Sequence, residues 1–366
     1  MASALPSHSY SPNLNINTGP SIPGLAPNPG PISSSPTPYA SFLTASSLPP
    51  QYLEAAYLLG PTLWKASHQY PHAALYSLYI PPDAFFAAAA DAAAAQTNNS
   101  NSSSTSSDKA KSGAKSKLPL IITVHGTGRQ AGAMRDALIP LAERAGAVVL
   151  APLFPMGVGD GNDVDGYKGL LFEHEFEEGG GDFMRVRYDL VLLEILEEIR
   201  VRWEGVVDTE EEVYLTGFSG GGQFAHRMWW LYPERWRGVS VGAPGSITGL
   251  DWGVDWPEGV RDAARVFGRG VEAEKVSGVA DVQLVVGELD TEPRGEGVLD
   301  VLPGGRGDRV RKRAEPNRRE VMEALRNQLV GIGVEAEVDV VPGVGHDAEG
   351  VFPVVEEWLE RAMSKG

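Results

Sequence analysis

The sequence predicts an α/β domain in which a mostly parallel sheet carries helices on both faces, entered after a long polar tail. Three observations lead there. From about residue 74 onward, short apolar runs alternate with stretches of helical periodicity, as expected of strands joined by crossover helices. Some runs, such as 282–286, are almost continuously apolar, the pattern of a strand buried on both faces. And the run 213–216 passes within a few residues through Gly217-Phe218-Ser219-Gly220-Gly221 into a helical stretch, a sharp strand-to-helix turn.

In chain order, residues 1–48 are rich in Ser, Pro, Asn and Gly and hold no charged residue, so they lack the apolar surface to offset chain entropy. The domain proper is expected over 49–366. Apolar residues at Tyr52, Leu53, Ala56, Leu58 and Leu59 predict a short helix within 50–68. Residues 74–80 alternate and stop at Pro81-Pro82, an early strand. Residues 89–117 begin as an alanine run and pass through Asn/Ser into a lysine-dotted segment, read as a low-complexity insertion between two strands. A strand at 118–124 leads into His125-Gly126-Thr127-Gly128-Arg129, followed by a helix over 134–145 that stops at Gly146 and a strand over 147–152. The glycine-rich stretch 156–182 should form a mobile wall near the mouth of a site. Residues 186–203 put apolar side chains at helical spacing and glutamates opposite. After the Gly217–Gly221 turn comes a helix through Trp230, a strand at 239–243, and a short lid over 244–280 with Trp252 and Trp256. Pro316 opens a helix to Val330, and a final helix runs from about 354 to 363.

The turn carries the chemistry. A strand that becomes a helix this abruptly needs small residues at Gly217 and Gly221, and it presents the Ser219 hydroxyl at a strand's carboxyl end and a helix's amino end. A serine hydroxyl needs a base, and the base needs a carboxylate that fixes its tautomer. Both follow in order: Asp290 in Gly287-Glu288-Leu289-Asp290 and His346 in the glycine-rich loop after 338–341. Glu288 is the alternative acid, and Asp290, further into the loop, is preferred. The amides of Gly220 and Thr127 are the expected oxyanion donors. Trp252, Trp256 and His174 are candidates for a substrate pocket. His226, seven residues beyond Ser219, is too far along the helix to reach it and reads as structural; His125 should brace its own loop.

On His125-Gly126, the 217–221 turn, Asp290 and His346, the chain resembles the α/β-hydrolase superfamily, and within it the esterase and lipase branch with polyhydroxybutyrate-depolymerase-like and dienelactone-hydrolase-like proteins. The likeness runs from about residue 74 to the C-terminus. It implies a cofactor-free serine hydrolase acting on a small or polymeric ester through an acyl-enzyme. Amide cleavage would use the same machinery, and a silent binding protein on the same fold is the rival reading.

Composition narrows the partners. A formal charge of −17 argues against nucleic acid and anionic membrane surfaces. The basic cluster of Arg306, Arg309, Arg311, Lys312, Arg313, Arg318 and Arg319 reads as a solvated loop and helix start. With no cysteine there is no disulfide and no thiolate site. Asp160-Gly161-Asn162-Asp163 resembles a calcium loop, but Val164 and Leu171 fall where carboxylates belong, so no metal is expected. No apolar run is long enough to span a membrane, and the tail lacks the basic start and apolar core of a secretory signal, so an intracellular protein is expected.

Overall fold

The computed structural model describes residues 60–62, 64–70, 72–100, 117–156, 164–175, 183–292 and 316–365. The polar tail, the lysine-dotted part of the insertion, Asp160 to Asp163, the triple glycine at 179–181 and the basic residues from Arg306 to Arg313 lie outside them.

Strands β1 (Gly60–Pro61), β2 (Lys65–Ala66) and β3 (Leu75–Ile80) form the antiparallel edge of the sheet. The residues from Tyr52 to Leu59 that predict a short helix lie outside the described residues; within 60–68 the described chain pairs with β3 as strand. Next comes α1 (Pro82–Ser100), which corrects the insertion expected from residue 89. Alanine is the strongest helix former, and Phe85, Ala88 and Ala89 bury one side of the run, so the chain stays helical to Ser100. The sheet continues with β4 (Leu120–Val124) and β5 (Val148–Leu153). Between them the single helix expected is two, α2 (Ala131–Ala137) and α3 (Ile139–Ala145), because Pro140 starts a new helix in its first turn.

Within the stretch expected as a mobile wall, the described residues 164–175 end in β6 (Leu171–Glu175), which pairs antiparallel with β7 (Phe183–Arg187) beyond it. Helix α4 (Tyr188–Arg202) leads to β8 (Val213–Phe218), α5 (Gly220–Leu231), β9 (Gly238–Gly242), the short helices α6 (Ala263–Phe267) and α7 (Ala273–Val276), β10 (Asp281–Gly287), α8 (Arg318–Gly331), β11 (Glu337–Val341) and α9 (Ala348–Met363). Helix α9 begins earlier than expected: Asp347 caps it by accepting the Glu349 N–H (3.1 Å), and Pro353 falls inside it.

The sheet order is β1-β3-β5-β4-β8-β9-β10-β11, with β2 also on β3, and every pair from β5 to β11 along that path is parallel. Helices α2, α3 and α9 pack together on the sheet, α5 lies over β4, β8 and β9, and α8 lies on β10. Helix α5 is buried almost all round: Phe224, Met228, Trp229, Trp230 and Leu231 have no exposed surface. The two indoles donate to the carbonyls of Val276 (3.1 Å) and Thr248 (3.0 Å), so apolar burial leaves no orphaned N–H. The parallel order carries a positional consequence: the loops after β4, β8, β9, β10 and β11 all leave from one end of the sheet.

Candidate functional site

At that end, Ser219 joins β8 to α5 with φ 58° and ψ −114°, a left-handed conformation that is strained for a side-chain-bearing residue. Packing explains the glycines. A β-carbon on Gly217 would overlap the Gly221 carbonyl, and one on Gly221 would overlap the Val124 carbonyl of β4. The helix start is thus pressed directly on the strands beneath it. The Ser219 N–H donates to Gly242 O (2.8 Å), tying the turn to β9.

His346 reaches the turn from the loop after β11. Its Nε2 lies 3.0 Å from Ser219 Oγ and its Nδ1 lies 2.7 Å from Asp290 Oδ2. A carboxylate only accepts, so Nδ1 carries the proton and Nε2 offers its lone pair to the serine O–H. Asp290 is 2 % exposed, while the His346 side chain is 31 % exposed and packs its ring 4.9 Å from that of Phe218. Arg318 Nη1 stands 3.4 Å from the other carboxylate oxygen of Asp290. Glu288 is turned outward and accepts the Gly343 N–H (2.9 Å), so it braces the histidine loop without touching the histidine.

The loop after β4 faces the same serine. A β-carbon on Gly126 would stand 3.4 Å from Ser219 Cβ, and one on Gly220 would stand 3.3 Å from Thr127 N. The Gly126 carbonyl accepts from His125 Nδ1–H (2.7 Å) and from the Arg129 N–H (3.1 Å). A trans peptide is planar with its C=O and N–H opposed, so those two bonds also send the Thr127 N–H the other way. Among the described residues, neither the Thr127 nor the Gly220 amide donates a hydrogen bond elsewhere in the chain. His125 Nε2 accepts the Phe154 N–H (3.0 Å), so both ring nitrogens are engaged and the ring is neutral. Burial among Phe154 and Tyr167 pulls its pKa down to about 4. His226 is held likewise, with Nδ1–H donating to Gly222 O (3.0 Å) and Nε2 accepting the Thr248 N–H (2.9 Å); burial depresses it as well.

Among the expected pocket residues, Trp252 stands 53 % exposed, whereas Trp256 is half-buried, stacks edge-on with Phe267 and donates its indole N–H to Gly169 O (2.8 Å). His174 lies on β6, paired with Met184. The fold brings four further residues here: Arg318, read from the sequence as a solvated charge, and Tyr167, Lys168 and Arg227, which the sequence does not single out. For Arg318 a signal existed, since arginines in the first turn of a helix oppose its dipole and point to a specific partner. The others sit in or reach a turn, 164–170, that offers no periodicity to read. A groove of about 690 Å³ between α8 and β11, lined in part by Met322, Arg326 and Val338, holds none of Ser219, Asp290 or His346.

Ser219, His346 and Asp290 together can activate a hydroxyl, and the two amides can receive a negative oxygen. Among the described residues no group of three or more His, Asp or Glu side chains could hold a metal ion, and no helix is long and apolar enough to cross a membrane.

No protein-family model matches the chain, and no curated protein matches it in sequence. Solved structures do match in shape. The poly(3-hydroxybutyrate) depolymerase LpqC of Bordetella parapertussis superposes with a TM-score of 0.51 at 20% identity over 81% of this chain and 86% of that one. Poly(aspartic acid) hydrolase-1 of Sphingomonas sp. KT-1 gives 0.49 at 17% over 78% and 92%. An S-formylglutathione hydrolase of Agrobacterium tumefaciens gives 0.47 at 15% over 84% and 94%. At 20% identity the likeness to the first is one of fold, and that fold is the α/β-hydrolase architecture the sequence leads to.

Proposed function

We propose that this α/β-hydrolase-fold chain is a serine hydrolase that cleaves carboxylic esters. One observation carries the reading: the unbroken line from Ser219 Oγ through His346 Nε2 (3.0 Å) and Nδ1 to Asp290 Oδ2 (2.7 Å). In this mechanism Ser219 Oγ attacks the ester carbonyl carbon while its proton passes to His346 Nε2. Asp290, accepting from Nδ1–H, stabilises the imidazolium that forms. The carbonyl oxygen, now negative, is received by the Thr127 and Gly220 amides. When the intermediate collapses, the C–O bond to the alcohol breaks, His346 returns its proton to the departing oxygen, and an acyl-serine remains. Water then attacks the acyl-serine with His346 again as base, releasing the acid and restoring the hydroxyl. No cofactor enters either half.

Carboxylic esters are the preferred class because an alkoxide or phenoxide leaves far more readily than an amide nitrogen, which asks less of the proton that His346 returns. The fold neighbour from Bordetella acts on a polyester, which agrees at the level of fold analogy. The test is a panel of phenyl esters of increasing acyl length, together with a fluorophosphonate probe. The wild type should hydrolyse some members and be labelled at Ser219, and Ser219→Ala should lose turnover by about three to six orders of magnitude while keeping its melting temperature. Equal turnover by the variant, or labelling elsewhere, would overturn the mechanism. Faster cleavage of the matched anilides would make the protein an amidase with the same residues.

A further inference from the structure

The turn 164–170 is anchored at four of its carbonyls. The Val164 carbonyl accepts from Arg129 Nη2 (3.0 Å), that of Lys168 from Arg227 Nη1 (2.6 Å), that of Gly169 from Trp256 Nε1 (2.8 Å) and that of Leu170 from the Tyr188 N–H (2.9 Å). From inside the turn, the Tyr167 hydroxyl donates to His125 O (3.2 Å). Arg227 is 3 % exposed, and its hydrogen-bond partners are neutral: Thr248 Oγ1, Gln223 Oε1, Ser246 Oγ and the Lys168 carbonyl. Placing a buried guanidinium on a carbonyl is a costly way to fix a turn. The effect is to keep one side chain in one place.

That side chain is Lys168. It is only 12 % exposed, and its Cε lies 3.0 Å from where a β-carbon of Gly220 would stand. Thr127 N and the Tyr167 hydroxyl border the same point. A lysine stem thus runs alongside both amides assigned to the oxyanion. Its ammonium is paired with Asp165, whose own side chain is 80 % exposed, and such a half-solvated pair is easily exchanged. An apolar acyl chain lying here would desolvate the ammonium without replacing its water, which is unfavourable. A carboxylate would replace that water. In a chain of charge −17, an anionic substrate meets general repulsion, so any selection for it must be local.

We propose that Lys168 selects esters carrying a carboxylate within reach of the scissile carbonyl, the substrate anion displacing Asp165 from the ammonium. The inference rests on the hydrolase reading of Ser219. The carboxylate can belong to the acyl or the alcohol part, and matched pairs separate the two: phenyl hydrogen glutarate against phenyl valerate, and acetoxybenzoate against phenyl acetate. In one of the pairs the wild type should favour the anionic ester by about tenfold or more in kcat/KM, chiefly through KM. Lys168→Met should bring that ratio near one, Lys168→Arg should keep most of it, and Asp165→Asn should raise it by removing the competing carboxylate. Added salt should lower it.

A wild-type ratio near one in both pairs, with the neutral esters turned over, overturns this inference and leaves the hydrolase reading standing. A preference that survives in Lys168→Met overturns it too. If Lys168→Met fails to fold by its melting curve, Asp165→Asn decides, and an unchanged ratio there is a refutation. A wild type that hydrolyses none of the esters removes the parent reading and this one together.

Discussion

Two histidines flank Ser219, and they differ in almost everything except residue type. His125 has no exposed surface, both its nitrogens bond to backbone, and burial holds its pKa near 4. His346 is 31 % exposed, takes a carboxylate on one nitrogen and leaves the other facing the serine hydroxyl. The first is a strut and the second is the base of the proposed mechanism. What distinguishes them is whether backbone groups consume the ring's hydrogen-bonding capacity, since an imidazole with both nitrogens engaged has no lone pair left for a proton. Beside Ser219, then, one imidazole is closed off by backbone and the other stays open to the hydroxyl.

The comparison breaks most sharply under paired truncation. His346→Ala should reduce turnover by about four to six orders of magnitude, with a melting temperature within a few degrees of wild type, because an exposed ring contributes little packing. A variant retaining a tenth of the activity would end the assignment of His346 as base. Next in size is the acid. Asp290→Asn should cost about three to four orders of magnitude, because the amide can hold the wrong imidazole tautomer. Glu288→Gln should cost less than about threefold, as Gln still accepts the Gly343 N–H. If the second proves worse than the first, the acid is Glu288.

A loss smaller than that of the acid sharpens the other half of the comparison. His125→Ala releases the Gly126–Thr127 peptide and should lower kcat about tenfold to a hundredfold with little change in KM, less than the removal of an oxyanion donor outright. Its signature is in acid. A histidine held neutral in the fold but protonating near 6.5 when unfolded means that the unfolded chain binds more protons below that pH. Stability should thus be complete above about pH 6.5 and fall as pH drops toward about 4, by roughly 3 kcal/mol for His125 alone. His226 adds a loss of the same sign. Urea midpoints measured across this range should show a shallower decline in His125→Ala than in wild type; an identical decline would mean that the His125 ring does not stay neutral.

Much of this was legible in the sequence because the carriers were local. The elbow announces itself through Gly217 and Gly221, and the apolar runs of the parallel strands need no partner to be recognised. Misreadings came where distant contacts decided. The alanine run at 89–95 looks unstructured by composition, yet Phe85, Ala88 and Ala89 find a core. The β6–β7 hairpin hides in a glycine-rich stretch. Position in the loop favoured Asp290 over Glu288, but only the fold shows Asp290 turned onto His346 and Glu288 onto the Gly343 N–H. Arg318 was grouped with solvated charges because its partner Asp290 lies 28 residues earlier in the chain.

The anchoring of the 164–170 turn also governs when the site can exist during folding. Its carbonyls accept from side chains 35, 59 and 87 residues away in the chain, so no local step can order it. The turn must wait until β4, α5 and the segment after β9 have all docked. In the native protein the same bonds release together, and the amides of 167–170 should exchange with solvent as one cooperative unit at a rate set by the weakest anchor. The elbow, sealed on β4 and β9, would still be closed when that happens.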